Sequence, residues 1–129
     1  MPSTKDIRDM IFVFGEVKNP GAYSFSEGLT AVQAVGLAGG YTDIAVLEDT
    51  RIIRGRLDNP AILLANVESV IKRGEIGKDV ALAKNDIMYI PRSRIGDWNA
   101  FLSKLRPTLE FFILPMVGAT YWRDLERRW

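Results

Sequence analysis

The sequence predicts an α+β domain followed by an amphipathic helix, and three observations carry that prediction. Residues 11–25 read as strand, tight turn, strand. Residues 30–40 read as a capped helix closed by two glycines. From Ile95 the spacing of apolar residues changes from two to nearly four.

The elements follow in order. Ile11, Val13, Gly15 and Val17 alternate with Phe12, Phe14, Glu16 and Lys18, and β-branched and aromatic residues dominate, as a strand prefers. Asn19-Pro20-Gly21 then reverses the chain. Pro20 presets φ at the first central turn position, and Gly21 supplies the positive φ of a type II turn. A second apolar run, Ala22 to Phe25, follows at once.

Thr30 is placed to cap a helix from Ala31 to about Ala38. Leu29, Val32, Val35 and Leu37 form its buried side, while Ala31, Ala34 and Ala38 permit close approach to a sheet. Gly39-Gly40 ends it, with one glycine in the left-handed cap position. Backbone geometry accounts for this pair. A phosphate loop needs a following helix and lysine, which are missing here.

Further along, Thr50 to Arg54 reads as a strand and Asp58-Asn59-Pro60 as a turn. Ala61 to Leu64 is another strand, and Asn66 opens a short helix, Val67 to Arg73, stopped by Gly74. Asp79 to Leu82 reads as a short strand. Lys84-Asn85-Asp86 is a turn in which Asn85 tolerates the left-handed region. Ile87 to Ile90 is a strongly apolar last strand closed by Pro91. Val13, Val17, Val32, Val35, Ile52, Leu63, Ile71, Ile87 and Tyr89 are the expected core.

Composition narrows the function. The chain has 129 residues, 47% hydrophobic and 26% charged, which suits a globular domain able to bury a core. Its formal net charge of +1 gives no global field to attract nucleic acid. With no cysteine and no histidine, thiol chemistry, His-dependent catalysis and the commonest transition-metal ligands drop out. The carboxylates Asp43, Glu48, Asp49, Asp79 and Asp86 suggest no acid–base dyad. No catalytic residue, metal or cofactor is expected.

The linked motifs resemble the SLBB domain, the soluble-ligand-binding β-grasp module. The residues that carry the resemblance are Val13 to Tyr23, Gly28 to Thr30, Val35 to Gly40, Arg51 to Arg54 and Asp86 to Pro91. The resemblance implies a β-grasp fold over 11–92, with residues 1–10 as a linker from a preceding domain. It implies structural roles for Asn19, Pro20 and Gly21 in the turn, and for Gly39 and Gly40 in the cap. Tyr23, Tyr41, Arg51 and Arg54 are candidates for glycan contact.

The tail reads differently. Trp98, Phe101, Leu102, Leu105, Leu109, Phe112, Ile113 and Met116 share one side of a helical projection. Asn99, Ser103, Arg106 and Glu110 share another, with Arg106 and Glu110 spaced to pair. Phe111, Phe112, Ile113, Leu114 and Met116 belong to a run that is apolar all round, ending near Trp122 and a charged tail, 123–129. From Pro107 to Trp122 a helix would rise about 24 Å at ~1.5 Å per residue. That is short of the ~30 Å of a usual span, although the bacterial outer membrane is thinner than average. Pro107 and Pro115 would kink such a helix or start a second one.

SLBB domains followed by a C-terminal helix occur in outer-membrane polysaccharide export proteins of the Wza type, whose helices form a barrel across the outer membrane. The resemblance therefore implies a channel component that exports capsular or exopolysaccharide. Residues 95–122 would be its amphipathic, membrane-spanning or interfacial helix, and Asn99, Ser103, Arg106 and Glu110 would line the pore. Implied partners are polysaccharide, sister subunits in a ring, the outer membrane and an inner-membrane polysaccharide co-polymerase; nucleic acid is not among them. The implied location is the periplasm and outer membrane of a Gram-negative bacterium, with a signal peptide upstream. The alternative is a soluble β-grasp ligand-binding module whose C-terminal helix packs on the domain or joins copies in water.

Overall fold

The computed structural model describes residues 9–55 and 59–111. The apolar run from Phe112 through Ile113, Leu114, Met116 and on to Trp122 lies outside the described residues, as do 1–8, Asp58 and the charged tail.

Five strands make one mixed sheet: β1 (Met10–Gly15), β2 (Gly21–Ser24), β3 (Arg51–Arg54), β4 (Ala61–Leu64) and β5 (Ile87–Ile90). Their order is β2-β1-β5-β3-β4. β1 and β5 run parallel, and the other neighbours are antiparallel. Two helices, α1 (Ala31–Leu37) and α2 (Val67–Arg73), bury residues against one side of this sheet. A third, α3, occupies 98–111 at the C-terminal end of the described chain. This is the expected α+β, β-grasp-like fold with a C-terminal helix.

Local chemistry explains the helix ends. The Thr30 hydroxyl accepts from the Gln33 N–H, and the Gln33 side chain accepts from the Thr30 N–H, so α1 opens with a reciprocal capping box. It closes with a Schellman motif: Gly40 N–H donates to the Val35 carbonyl at 2.9 Å, and Gly39 N–H to Gly36 at 3.0 Å. Asn66 caps α2 through its side chain, and Gly74 ends that helix in the left-handed region. Asn85 takes φ +67° in the turn before β5, as expected.

The sheet is buried on both faces. Ile11, Val13, Ile52, Met88 and Ile90 point into one core with Ala31, Ala34, Val35 and Val67. Phe12, Phe14, Ile53 and Ile87 point into a second with Leu102 and Leu109. β1 therefore alternates between two apolar environments rather than between core and water, which is the behaviour of a central strand.

Several expectations are corrected. Ile71 is 39% exposed and Leu37 49% exposed. α2 turns Val67 and Ser69 inward instead, and α1 meets the sheet through its alanines, leaving the larger Leu37 outside. Val32, Leu63 and Tyr89 do pack against the cores, as expected, although only half-buried. Residues 79–82 make no strand, only a bridge between Thr30 and Ala81, because a short 3-10 turn (Ile76–Lys78) and Asp79 hold that segment beside α1.

The first hairpin also differs in detail. β1 stops at Gly15, and Val17 makes an isolated bridge with Tyr41. Gly21 has a positive φ, as expected, but at +159° as the first residue of β2 it is not at the ~+80° of a type II turn. Gly15, at φ +92°, also needs glycine for lack of space. A Cβ there would lie 2.1 Å from the Ile90 carbonyl oxygen, where the parallel strands β1 and β5 end side by side.

Candidate functional site

The parallel pairing of β1 and β5 determines the site. Both strands end at the same edge, with Gly15 opposite Ile90, and Glu16 N–H donates to the Ile90 carbonyl at 2.8 Å. The residues that follow each strand, Glu16 on one side and Pro91, Arg92 and Ser93 on the other, therefore emerge together. They line a groove of about 420 Å³ with Tyr89 and Phe101. The Thr42 hydroxyl donates to Glu16 Oε1 at 2.8 Å and orients the carboxylate. Burial, with a smaller push from Glu16, raises the Tyr89 phenol above its ordinary value, while Arg92 works the other way. Arg92 is exposed and makes no ion pair among the described residues.

A second groove, of about 430 Å³, lies on the other flank of Tyr89. Its walls are Phe14, Pro20, Leu105 and Leu109, and it is almost wholly apolar. Tyr89 thus divides a polar groove from an apolar one. Its ring packs 6.2 Å from Trp98 and 5.3 Å from Phe101, so α3 supplies the aromatic wall.

α3 is positioned by packing and by a polar clasp. Asp97 caps it, accepting the Ala100 N–H at 3.0 Å, so the helix starts at 98 rather than at Ile95. Trp98, Leu102 and Leu109 are buried, at helical spacings of four and seven. Asp49 accepts from Arg51 Nη2 at 2.8 Å and from the Ile95 N–H at 2.9 Å. Arg94 pairs with Glu48 at 2.8 Å. The Arg51 guanidinium lies 5.3 Å from the centroid of the Trp98 ring, a cation–π contact. Burial disfavours the charged Asp49, but the Arg51 and Ile95 hydrogen bonds outweigh it and hold the carboxyl below its ordinary value.

Burying one large apolar side chain is worth about 1.5–3 kcal/mol, against about 1 kcal/mol for a single hydrogen bond. The three buried apolar residues of α3 therefore hold it on the sheet, and the clasp fixes where it starts. α3 continues through Pro107, which removes a donor to the Ser103 carbonyl and crowds it. Both residues are exposed, so water can satisfy that carbonyl.

The four candidate glycan residues do not converge. Tyr23 and Tyr41 pack at the edge of the α1-side core, and the Tyr23 hydroxyl donates to the Asn19 carbonyl. Arg51 faces α3. Arg54 holds Asp86 through two hydrogen bonds of 2.9 and 2.8 Å, anchoring the turn before β5. That pairing outweighs its partial burial and raises the Arg54 pKa.

The turn and cap motifs, in contrast, are neighbours in space. Asn19 N–H donates to Ala38 and Lys18 N–H to Gly40. A Cβ on Gly39 would lie 2.6 Å from the Asn19 amide nitrogen, so Asn19-Pro20-Gly21 packs on the glycine pair. On α3, Asn99, Ser103, Arg106 and Glu110 lie on the side away from the buried stripe, and Arg106 meets Glu110 at 3.8 Å. Phe111 is 72% exposed where the described helix ends.

Glu16, Arg92 and Ser93 were not singled out from sequence. Their signal was the placement of polar residues immediately after two strands that become parallel neighbours, and that adjacency is a property of topology.

The β-grasp-like sheet carries two ligand-sized grooves at one edge. Residues 10–64 match the family model of the SLBB domain. No curated protein matches the chain. Among the described residues, no helix is long and apolar enough to cross a membrane.

Proposed function

We propose that this chain is the ligand-binding SLBB part of a machine that exports capsular or exopolysaccharide across the outer membrane of a Gram-negative bacterium. The SLBB match over 10–64 is the observation that carries the proposal. In this reading the domain performs no chemistry and needs no cofactor. It contacts polysaccharide, stands in a ring with sister subunits in the periplasm, and meets an inner-membrane polysaccharide co-polymerase. The apolar run beyond Phe111 engages the outer membrane or the neighbouring subunits.

The test is deletion of the gene, followed by measurement of surface and retained polysaccharide. Loss of surface polymer, restored by the gene in trans, is the expected result. Unchanged surface polymer would sink the export reading.

A second reading is favoured by one observation: α3 packs on its own sheet through Trp98, Leu102 and Leu109. A soluble ligand-binding module, with its C-terminal helix serving the fold and contacts between copies, also accounts for that packing. Light scattering of the full chain without detergent separates the two. A monodisperse species in water favours the soluble module, and a requirement for detergent favours the channel.

A further inference from the structure

We propose that the groove between Glu16 and Arg92 is a sugar-binding site that takes one pyranose ring of an acidic glycan. The proposal rests on the polysaccharide reading above and gives it a location distinct from Tyr23, Tyr41, Arg51 and Arg54. The volume of about 420 Å³ falls in the range of small-ligand sites, about 300–1,000 Å³. Tyr89 and Phe101 supply aromatic walls, which suit the C–H face of a sugar ring. The polar atoms around them match the rest of a sugar. Glu16 is held by Thr42 through one oxygen, which leaves acceptor capacity for ring hydroxyls. Ser93 adds a hydroxyl that both donates and accepts.

Arg92 selects the acidic sugar. Arg51, Arg54 and Arg94 are each committed to a carboxylate, at 2.8 Å in every case. Arg92 has no such partner among the described residues, although it lines a groove that also holds Glu16. A planar guanidinium without a counter-ion fits a sugar carboxylate through paired hydrogen bonds. Glu16 and Arg92 both line the groove, so like charges would keep a sugar carboxylate away from Glu16 and toward Arg92, with ring hydroxyls toward Glu16. Nothing in the core depends on either side chain. Arg92 is exposed, and the structural bond of Glu16 to the sheet runs through its backbone N–H.

The experiment titrates the full chain with hexagalacturonate and with maltohexaose, following backbone amide shifts. The expected result is about millimolar binding of the uronate, with the largest shifts at Glu16, Tyr89, Ser93 and Phe101. R92M should weaken the uronate about tenfold, the loss of a charge-assisted contact, and change maltohexaose binding by less than about twofold. E16Q should weaken both sugars, and the amide spectra of both variants should otherwise match the wild type. Shifts confined to the Tyr23 and Tyr41 surface would overturn the groove and leave the polysaccharide reading standing. Equal loss of both sugars in R92M would overturn the acidic selectivity. No shift with either sugar would overturn the site, and the deletion phenotype would then decide the export reading by itself.

Discussion

The two faces of the sheet are built by different means. One is covered by α1 and α2, which are threaded between its strands in sequence. Small residues, Ala31, Ala34 and Ala38, bring α1 close, and a capping box and a Schellman motif fix its ends. The other is covered by α3, which arrives after the last strand and outside the matched residues 10–64. It packs with Trp98 and leucines and is fastened at its start by Asp49 and Glu48. The first cover is part of the connectivity. The second is an addition after the last strand, and Phe12, Phe14, Ile53 and Ile87 pack in one cluster with its Leu102 and Leu109.

Ending the chain after Arg92 breaks this comparison most severely. It exposes the second face and forfeits the burial of three large side chains, about 5 kcal/mol or more. The shortened chain should unfold at markedly lower urea or associate in gel filtration. A truncated domain as stable and monomeric as the full chain would show that the second face needs no cover.

Single substitutions sharpen the contrast. Phe12→Ala should cost about 3–5 kcal/mol and Ile52→Ala about 2–5 kcal/mol, since each is fully buried on its own face. Comparable losses in urea melts would show both faces to be well packed. A loss under about 0.5 kcal/mol for Phe12→Ala would place that ring in water.

The clasp comes next. Asp49→Asn removes the anion facing a largely buried arginine and should cost about 1–3 kcal/mol at neutral pH. The sign with pH follows from the lowered pKa of Asp49. Its contribution is complete above the ordinary value of 3.8 and is lost as pH falls through the lower folded value. The stability gap between wild type and variant should therefore hold steady from neutral pH down to about 3.8 and narrow as pH falls further through the folded value. A gap that closes near pH 6 would contradict the clasp. The smallest effect belongs to the outer side of α3. Arg106→Ala breaks a solvent-exposed i,i+4 pair and should change stability by no more than about 0.5 kcal/mol.

On the α1 side the helix ends were legible in sequence, whereas the exposure of Leu37 and Ile71 and the missing strand at 79–82 were not. Thr30, Gly39, Gly40, Asn66 and Gly74 are local signals, and local signals act wherever the chain is. The second face could not be read in the same way. Phe12 and Phe14 look like the outward half of an alternating strand until a helix some ninety residues later, on the order of the chain length that separates them, is seen to cover them. The same helix shows one apolar stripe whether it faces lipid or a sheet, because both present apolar surface to it. Arg51 and Arg54 look available in sequence because their carboxylates, Asp49 and Asp86, are matched to them only by the fold. The groove at Glu16 and Arg92 was hidden for a related reason. It depends on the parallel pairing of the first and last strands, the longest-range contact in the sheet.

The seating of α3 on the second face is the central claim, and nuclear Overhauser contacts test it most directly. In the full chain, the methyl groups of Leu102 and Leu109 should show contacts to the ring protons of Phe12 and Phe14. These should persist unchanged when labelled chain is diluted into an excess of unlabelled chain, and when vesicles are added. Contacts that are absent, that vanish on dilution, or that are lost with vesicles would mean that α3 belongs to another copy or to the membrane.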